Sequence, residues 1–304
     1  MHEPQPPAFG RIVDEPLRRV GRDGSFARGT WASLAEVLRH RELLGRLISR
    51  EIRAKYKNSS LGVVWSLMRP LAQLLIYYVA IGKFMRAAEF TPDFAIFVFT
   101  GLTAWSLYSE ILSAGTSSIV SNGGLVKKVY VPREVFPLAA VGGSLFNFAV
   151  QFGILLVATL VFGVAPLHPQ LAYLPLSIAL ILAFATAIAL ILSALNVYLR
   201  DIQHLVEILL LILFWASPIV YPLSFVHQAI GGTFLEELYL ANPVTLAVLG
   251  MQQAMWISGT NDPSQYWPPD LGLRMFIALL AGIVLLWIGQ RVFSRLQGNF
   301  AQEL

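Results

Sequence analysis

The chain has 304 residues, 56% of them hydrophobic and 13% charged, with a mean hydropathy of +0.63. That balance exceeds what a soluble domain of this length shows and points to an all-α polytopic membrane protein. The net charge of +4 and a pI near 9.4 would fit a nucleic-acid binder, but the distribution of the basic residues accounts for them better. Cysteine is absent, which excludes disulfides, thiolate chemistry and cysteine-ligated metal.

Residues 1–29 are rich in Pro, Gly and Arg and too poor in apolar residues to order themselves. They predict a disordered basic tail whose cations can touch anionic lipid. The first 60 residues contain no apolar core ending in a small-residue site, so no cleavable signal peptide is expected. From Ser33 the pattern changes. Ser33 and Glu36 form a capping-box signature, and Leu34, Val37, Leu38, Leu44, Ile48 and Ile52 recur on one helical face. Arg39, Arg46, Arg50, Arg53 and Lys57 lie opposite, while Leu43 and Leu47 fall off the stripe and Arg41 falls on it. An amphipathic interface helix over 30–58 is the expectation, against the alternative of a helix packed on a soluble partner.

A membrane span takes about 20 mostly apolar residues. Such runs occur near 61–82, 94–114, 136–163, 173–197, 205–222 and 271–290, predicting six transmembrane helices within 59–304. Twelve of the 22 Lys and Arg residues precede residue 58. Lys127, Lys128 and Arg133 follow the second run, Arg200 the fourth, and Arg291 and Arg295 the sixth. Only Lys83, Arg86 and Arg274 fall on the other side, and Arg69 lies inside a span. Short loops rich in Lys and Arg stay in the cytoplasm, so both termini are expected there.

On the outer side, Pro218 and Pro222 break the end of the fifth run, and irregular backbone at membrane depth needs protein or water to cover it. Asn242 and Pro243 then stand where a helix cap and first turn would be, ahead of an apolar stretch too short to cross. Re-entrant helices over 223–260 are one reading; surface helices on the outer leaflet are the other.

Sites with chemistry are sparse. Gly82-Lys83 is followed by Phe84 and lacks a preceding P-loop, so no ATP site is expected. His2, His40, His168, His204 and His227 are scattered without metal-ligand spacing, and His204 reads as a solvated turn residue. No paired-aspartate motif for a magnesium diphosphate is present, which argues against a membrane glycosyltransferase. Glu110 shares a span with Trp105 and Tyr108 and is either a functional ionisable group or a buried hydrogen-bonding one.

Six ordered segments carry a resemblance: "REIRAKYKNSSLGVVWSLMRPL" at 50–71, "LVKKVYVPREVFPL" at 125–138, "LNVYLRDIQHL" at 195–205, "FWASPIVYPL" at 214–223, "LANPVT" at 240–245 and the terminal "LQGNFAQEL". Together they resemble the permease subunits of type-2 ABC exporters for O-antigen, teichoic acid, capsule, galactan and related polysaccharides. The resemblance implies a homodimer paired with two separate ATPase subunits, which would hold ATP and magnesium while this chain holds no cofactor. It implies a polyprenyl-diphosphate-linked glycan as substrate, membrane lipids as surroundings and no nucleic acid.

The resemblance also implies that segment 121–135 is the principal coupling element, with Gly123 and Gly124 breaking the preceding helix. Lys127, Lys128, Tyr130, Arg133 and Glu134 would then present the docking surface. Arg200 and Asp201 would cap the inner ends of two spans and meet the ATPase or the interface helix, unless they are simple charge anchors. Sugars present apolar C–H faces, so Tyr77, Phe84, Trp105, Tyr108, Phe214, Trp215 and Tyr221 are candidate channel residues, with lipid belt or core as the alternative. A secondary transporter or channel would need repeat-related broken helices, and only one such break is visible.

Overall fold

The computed structural model describes residues 39–56, 64–128, 131–162 and 166–304. The tail, the Ser33–Glu36 capping box, Lys57 and Tyr130 lie outside them. Among the described residues every regular element is helical.

Four helices are long and apolar enough to cross a membrane: α3 (Phe94–Ser121), α5 (Val135–Val161), α6 (Tyr173–Tyr198, entered through a 3-10 turn from Pro169) and α11 (Leu271–Leu296). The other two expected spans have a different form. Helix α2 (Val64–Tyr77) carries Pro70 and passes into a π-helix over Tyr78–Phe84. Helix α7 (Ile202–Trp215) has only 14 residues and stops well short of the expected boundary at 222. Pro218 explains the stop, since proline removes a backbone donor and disfavours helical geometry in the residue before it.

Helix α3 is the hub. It packs against α5, α6, α7, α2 and the short α10 (Pro243–Met255), and its apolar residues surround it rather than forming a stripe. Its buried hydroxyls are satisfied within the helix: Thr100, Thr103 and Thr116 donate to the carbonyls of Ile96, Phe99 and Leu112 at 2.7, 2.7 and 2.6 Å. A Cβ at Gly101 would stand 2.7 Å from the Ile219 carbonyl oxygen, so glycine lets the broken backbone after α7 lie directly on α3. Helix α11 meets α6 at two glycines: Gly289 lies against the Ala187 backbone, which brings the helices close, and Gly282 makes room for the Phe184 ring beside Ala183.

The described part of the interface helix is α1 (Arg41–Tyr56). Its most buried residue is Leu47, one of the two leucines that fall off the expected stripe, flanked by the partly buried Leu43, Leu44 and Ile48. The face is rotated because α1 packs on α5 of its own chain, where Ile48 fills the space beside Gly142. Arg46, Arg50 and Arg53 remain exposed.

Candidate functional site

Three chain segments meet at the ends of the helices that carry the basic residues. Helix α3 ends at Asn122, whose side-chain amide donates to the Ser118 carbonyl at 2.8 Å and whose own carbonyl accepts from Leu125 and Val126. Helix α4 (Gly123–Lys128) starts at once. The break therefore sits at Asn122, one residue before the expected Gly-Gly pair, and the two glycines form the first turn of α4 without positive φ. Arg50 of α1 donates to Asn122 Oδ1, which ties the interface helix to the break.

Lys127 and Lys128 end α4 and are exposed. Arg133 lies 5.6 Å over the Phe300 ring. Glu134 departs from the expected surface role: it is buried, with Ser294 and Gln297 donating to its Oε1 at 3.5 and 3.4 Å, so it joins the start of α5 to the end of α11. Arg200 and Asp201 are exposed, and Asp201 occupies the N-cap position of α7 without a side-chain cap bond. His204 is exposed, with Glu207 at 3.9 Å.

Behind these groups an apolar cluster joins Leu47 of α1, Ile119 of α3, Val126 of α4, Phe136 of α5, Val197 of α6 and Phe293 of α11. Val126 of α4 thus shares one close-packed cluster with side chains of five other helices. In front of the cluster is a cleft of about 440 Å³. One wall is α4 with Gly123 and Lys127, a second is the turn with Arg200 and Gln203, and a third is the C-terminal pair Glu303 and Leu304. Reading the sequence missed Asn122, Asn196, Gln203 and the C-terminal residues. The only signal for the last was the terminal motif; polar residues at a helix end carry no spacing that shows they converge.

Deeper along α3, Glu110 accepts from Asn147 Nδ2 at 2.8 Å and lies 3.7 Å from Lys55 Nζ, so α1, α3 and α5 meet in a polar group. The candidate channel aromatics mostly converge. Tyr77 stacks on Phe214 at 5.8 Å, Trp105 meets Phe214 edge-on at 5.5 Å and Tyr108 at 5.9 Å, and Phe214 meets Trp215 at 5.5 Å. Tyr108 and Phe214 are buried in this cluster, while Trp215 is open on one side. Tyr221 joins by donating to the Trp215 carbonyl. Phe84 stands apart, 81% exposed at the end of the π-helix.

At the opposite end the broken backbone is closed by α10. Gln252 Nε2 donates to the Pro218 carbonyl at 2.8 Å, and Asn242 Nδ2 and Thr245 Oγ1 donate to the Ala216 carbonyl at 3.2 and 3.3 Å. Asn242 caps α10 by accepting from the Val244 N–H, with Pro243 in the first turn as expected. Trp256 Nε1 donates to the Pro92 carbonyl at 2.6 Å, which pins α10 to the loop before α3. Helices α8 (Leu223–Ile230) and α9 (Phe234–Leu240) form a hairpin clasped by His227 Nδ1 and Glu236 Oε1 at 2.7 Å, and the imidazole stacks on Tyr266. The Glu236 Oε2 also accepts from the Gly232 N–H at 2.8 Å. Arg274 grips Glu237 through two bonds of 2.7 and 3.1 Å.

Among the described residues no His, Cys, Asp and Glu cluster could hold a metal ion. A family model described as ABC-2 type transporter matches residues 42–256. The O-antigen export system permease protein RfbA of Myxococcus xanthus is 30% identical over 269 residues, which span 88% of this chain and 98% of that protein. A protein of the same name from Klebsiella pneumoniae is 26% identical over 86% of this chain and 95% of its own length. The polysialic acid transport protein KpsM of Escherichia coli is 25% identical over 58% of this chain and 69% of its own. With the family model matching most of its length and the Myxococcus relative aligned nearly end to end, the chain belongs to the ABC-2 type transporter family and is homologous to permeases of polysaccharide export.

Proposed function

We propose that the chain is the membrane-spanning subunit of an ATP-driven exporter that carries a lipid-linked polysaccharide from the cytoplasmic leaflet across the inner membrane. The relation along almost the whole chain to O-antigen export permeases carries this reading. The active unit is a homodimer with two ATPase subunits, on which ATP and magnesium act. The substrate is a polyprenyl-diphosphate-linked glycan, and nucleic acid has no part.

In this reading both termini are cytoplasmic and there are six spans. Helix α2 with its π continuation is the first, and α7 with residues 216–222 is the fifth. Residues 1–29 form the tail, 30–58 the interface helix and 59–304 the transmembrane domain, with 223–260 re-entrant. The 13 residues of α10 rise only about 20 Å, short of the roughly 30 Å core, and all but one of its side chains from Val244 to Met255 are buried in protein, which supports that assignment.

Closure of the ATPases around ATP moves segment 121–135. The apolar cluster behind α4 passes that motion to α3, α5, α6, α11 and α1. Two permeases then part along a path to which Trp105, Trp215 and Tyr77 contribute aromatic faces that hold sugar rings without fixing one position. The exposed Arg46, Arg50 and Arg53 of α1 supply cations for an anionic lipid headgroup.

Reconstitution tests the reading. Proteoliposomes with this chain and its ATPase are expected to move a lipid-linked glycan when ATP is added, and the purified chain alone is expected to hydrolyse none. Hydrolysis or transport by the chain alone would refute it.

A further inference from the structure

Helix α3 is sealed over one half and open over the other. Every residue from Ile96 to Ala104 is buried, whereas from Trp105 to Ser121 nine residues are not. Six of these nine are polar: Ser106, Ser109, Glu110, Ser113, Ser117 and Ser121. The open faces of other long helices are apolar, with Val157, Leu160 and Val161 exposed on α5 and Phe276, Ile277 and Ile283 on α11. Acyl chains suit the second kind of surface; polar side chains on a span face water or a polar occupant.

An ionisable group stands within this open face. About 16 Å of helix separates Glu110 from Ser121, which places the carboxylate well inside the span. Its side chain is 38% exposed, and its two partners, Asn147 Nδ2 at 2.8 Å and Lys55 Nζ at 3.7 Å, both fall on Oε2. Oε1 keeps its acceptor capacity, with no partner among the described residues. The Lys55 side chain is 43% exposed and has N–H groups left over after a single carboxylate contact. Along the same face Ser109, Ser117 and Ser121 each donate their one hydroxyl proton to a carbonyl of the preceding turn, at 3.3, 3.2 and 2.9 Å, so their oxygens also remain acceptors.

A fitting occupant brings hydroxyls that donate to Glu110 Oε1 and the serine oxygens and accept from Lys55. A sugar ring does both, and its C–H face can rest on Trp105, which ends the open face and meets Phe214 edge-on at 5.5 Å. A diphosphate headgroup would meet the Glu110 carboxylate with like charge, so the sugar part of the substrate fits here and its headgroup does not. We infer that Glu110 and Lys55, with Asn147 holding the carboxylate in place, form a sugar-hydroxyl site in the wall of the translocation path. The site rests on the exporter reading and deepens it, because it gives the path a polar wall that favours hydroxyl-bearing sugar over an anionic headgroup.

The test uses the full chain with its ATPase subunit in proteoliposomes. The probe is a lipid-linked glycan, tritiated in its sugars and isolated from cells in which this exporter is deleted. A photo-crosslinking residue at Ser113 is expected to trap tritiated sugar during ATP turnover. Glu110→Gln keeps bulk and an acceptor for Asn147, and is expected to raise the glycan concentration at half-maximal export about tenfold, because bonds to a charged acceptor are the stronger ones. Its thermal midpoint should barely move, since an exposed ion pair contributes little. Exchanging the charges, Lys55→Glu with Glu110→Lys, restores the ion pair but not the acceptor on α3, so export should stay impaired at a parental thermal midpoint. Full rescue by the exchange would make the pair a latch between α1 and α3 and overturn the site. Crosslinks from Ser113 only to a second copy or to phospholipid, or an unchanged half-maximal concentration in Glu110→Gln, would overturn it as well, and export by the unmodified chain would leave the exporter reading intact. No export of the glycan by the unmodified assembly would overturn both.

Discussion

Around residues 216–256 the chain closes its own broken backbone. The carbonyls of Ala216 and Pro218 are met by Asn242, Thr245 and Gln252, the Trp256 indole is tied to Pro92, and the α8–α9 hairpin is clasped by His227 and Glu236. Around residues 122–134 and 199–204 the helix ends are tied together by Arg50 on Asn122 and by Ser294 and Gln297 on Glu134, yet Lys127, Lys128 and Arg200 stand exposed there, and Lys127 and Arg200 line a cleft. Buried polar groups with every partner in place make a region rigid and specific. Groups left open at a protein surface make it a place where another molecule completes the structure. In the proposed reading, the self-closed end is structural and the end with the exposed cations receives the ATPase.

The strongest way to break the contrast is charge reversal at the inner end. Lys127→Glu combined with Lys128→Glu is expected to abolish export while membrane insertion and thermal stability persist, because mismatched charge at a desolvated contact costs several kcal/mol and the apolar spans are untouched. Arg200→Ala should be milder, since one exposed charge contributes less than about 1 kcal/mol. Measuring export and thermal midpoint side by side checks both, and normal export by the double variant would reassign the joint.

At the outer end the effect should fall on stability first. Gly101→Val forces a branched side chain against the Ile219 carbonyl, which lies 2.7 Å from the position of a Cβ. Overpacking of this kind costs about 1–3 kcal/mol, so the unfolding midpoint in detergent should drop, and ATPase binding should change little. A variant with wild-type stability would show that the break after α7 is loose rather than seated on α3.

A further loss of stability is expected of Gln252→Leu, which keeps bulk but leaves the Pro218 carbonyl without its 2.8 Å donor. An orphaned buried carbonyl costs about 1–3 kcal/mol, less wherever water reaches it. Differential scanning fluorimetry should therefore place this variant below the parent. A variant more stable than the parent would mean that the segment is hydrated.

The long helices were legible because apolar runs of about 20 residues leave little alternative, and the Asn242 cap and Pro218 break follow from local rules that one residue can signal. The joint was legible only in part. Lys127, Lys128 and Arg200 stand out as charges between apolar runs, but nothing local shows that Leu304 packs on Gly123, or that Asn196 floors a cleft between segments distant in sequence. Glu134 looks like a surface acid in sequence and is buried because α11 ends beside it. The buried face of the interface helix is wider than its strongest periodicity shows: Ile48 of the expected stripe seats against Gly142 on α5, and Leu47 beside it is buried in the same cluster.

Hydrogen–deuterium exchange of the chain in nanodiscs, with and without its ATPase subunit, tests the division between the two ends most directly. Addition of the ATPase should slow exchange in residues 122–134, 199–204 and 297–304 and leave 216–256 unchanged. Protection confined to 216–256, or none at the inner segments under conditions where the ATPase is bound, would contradict the account.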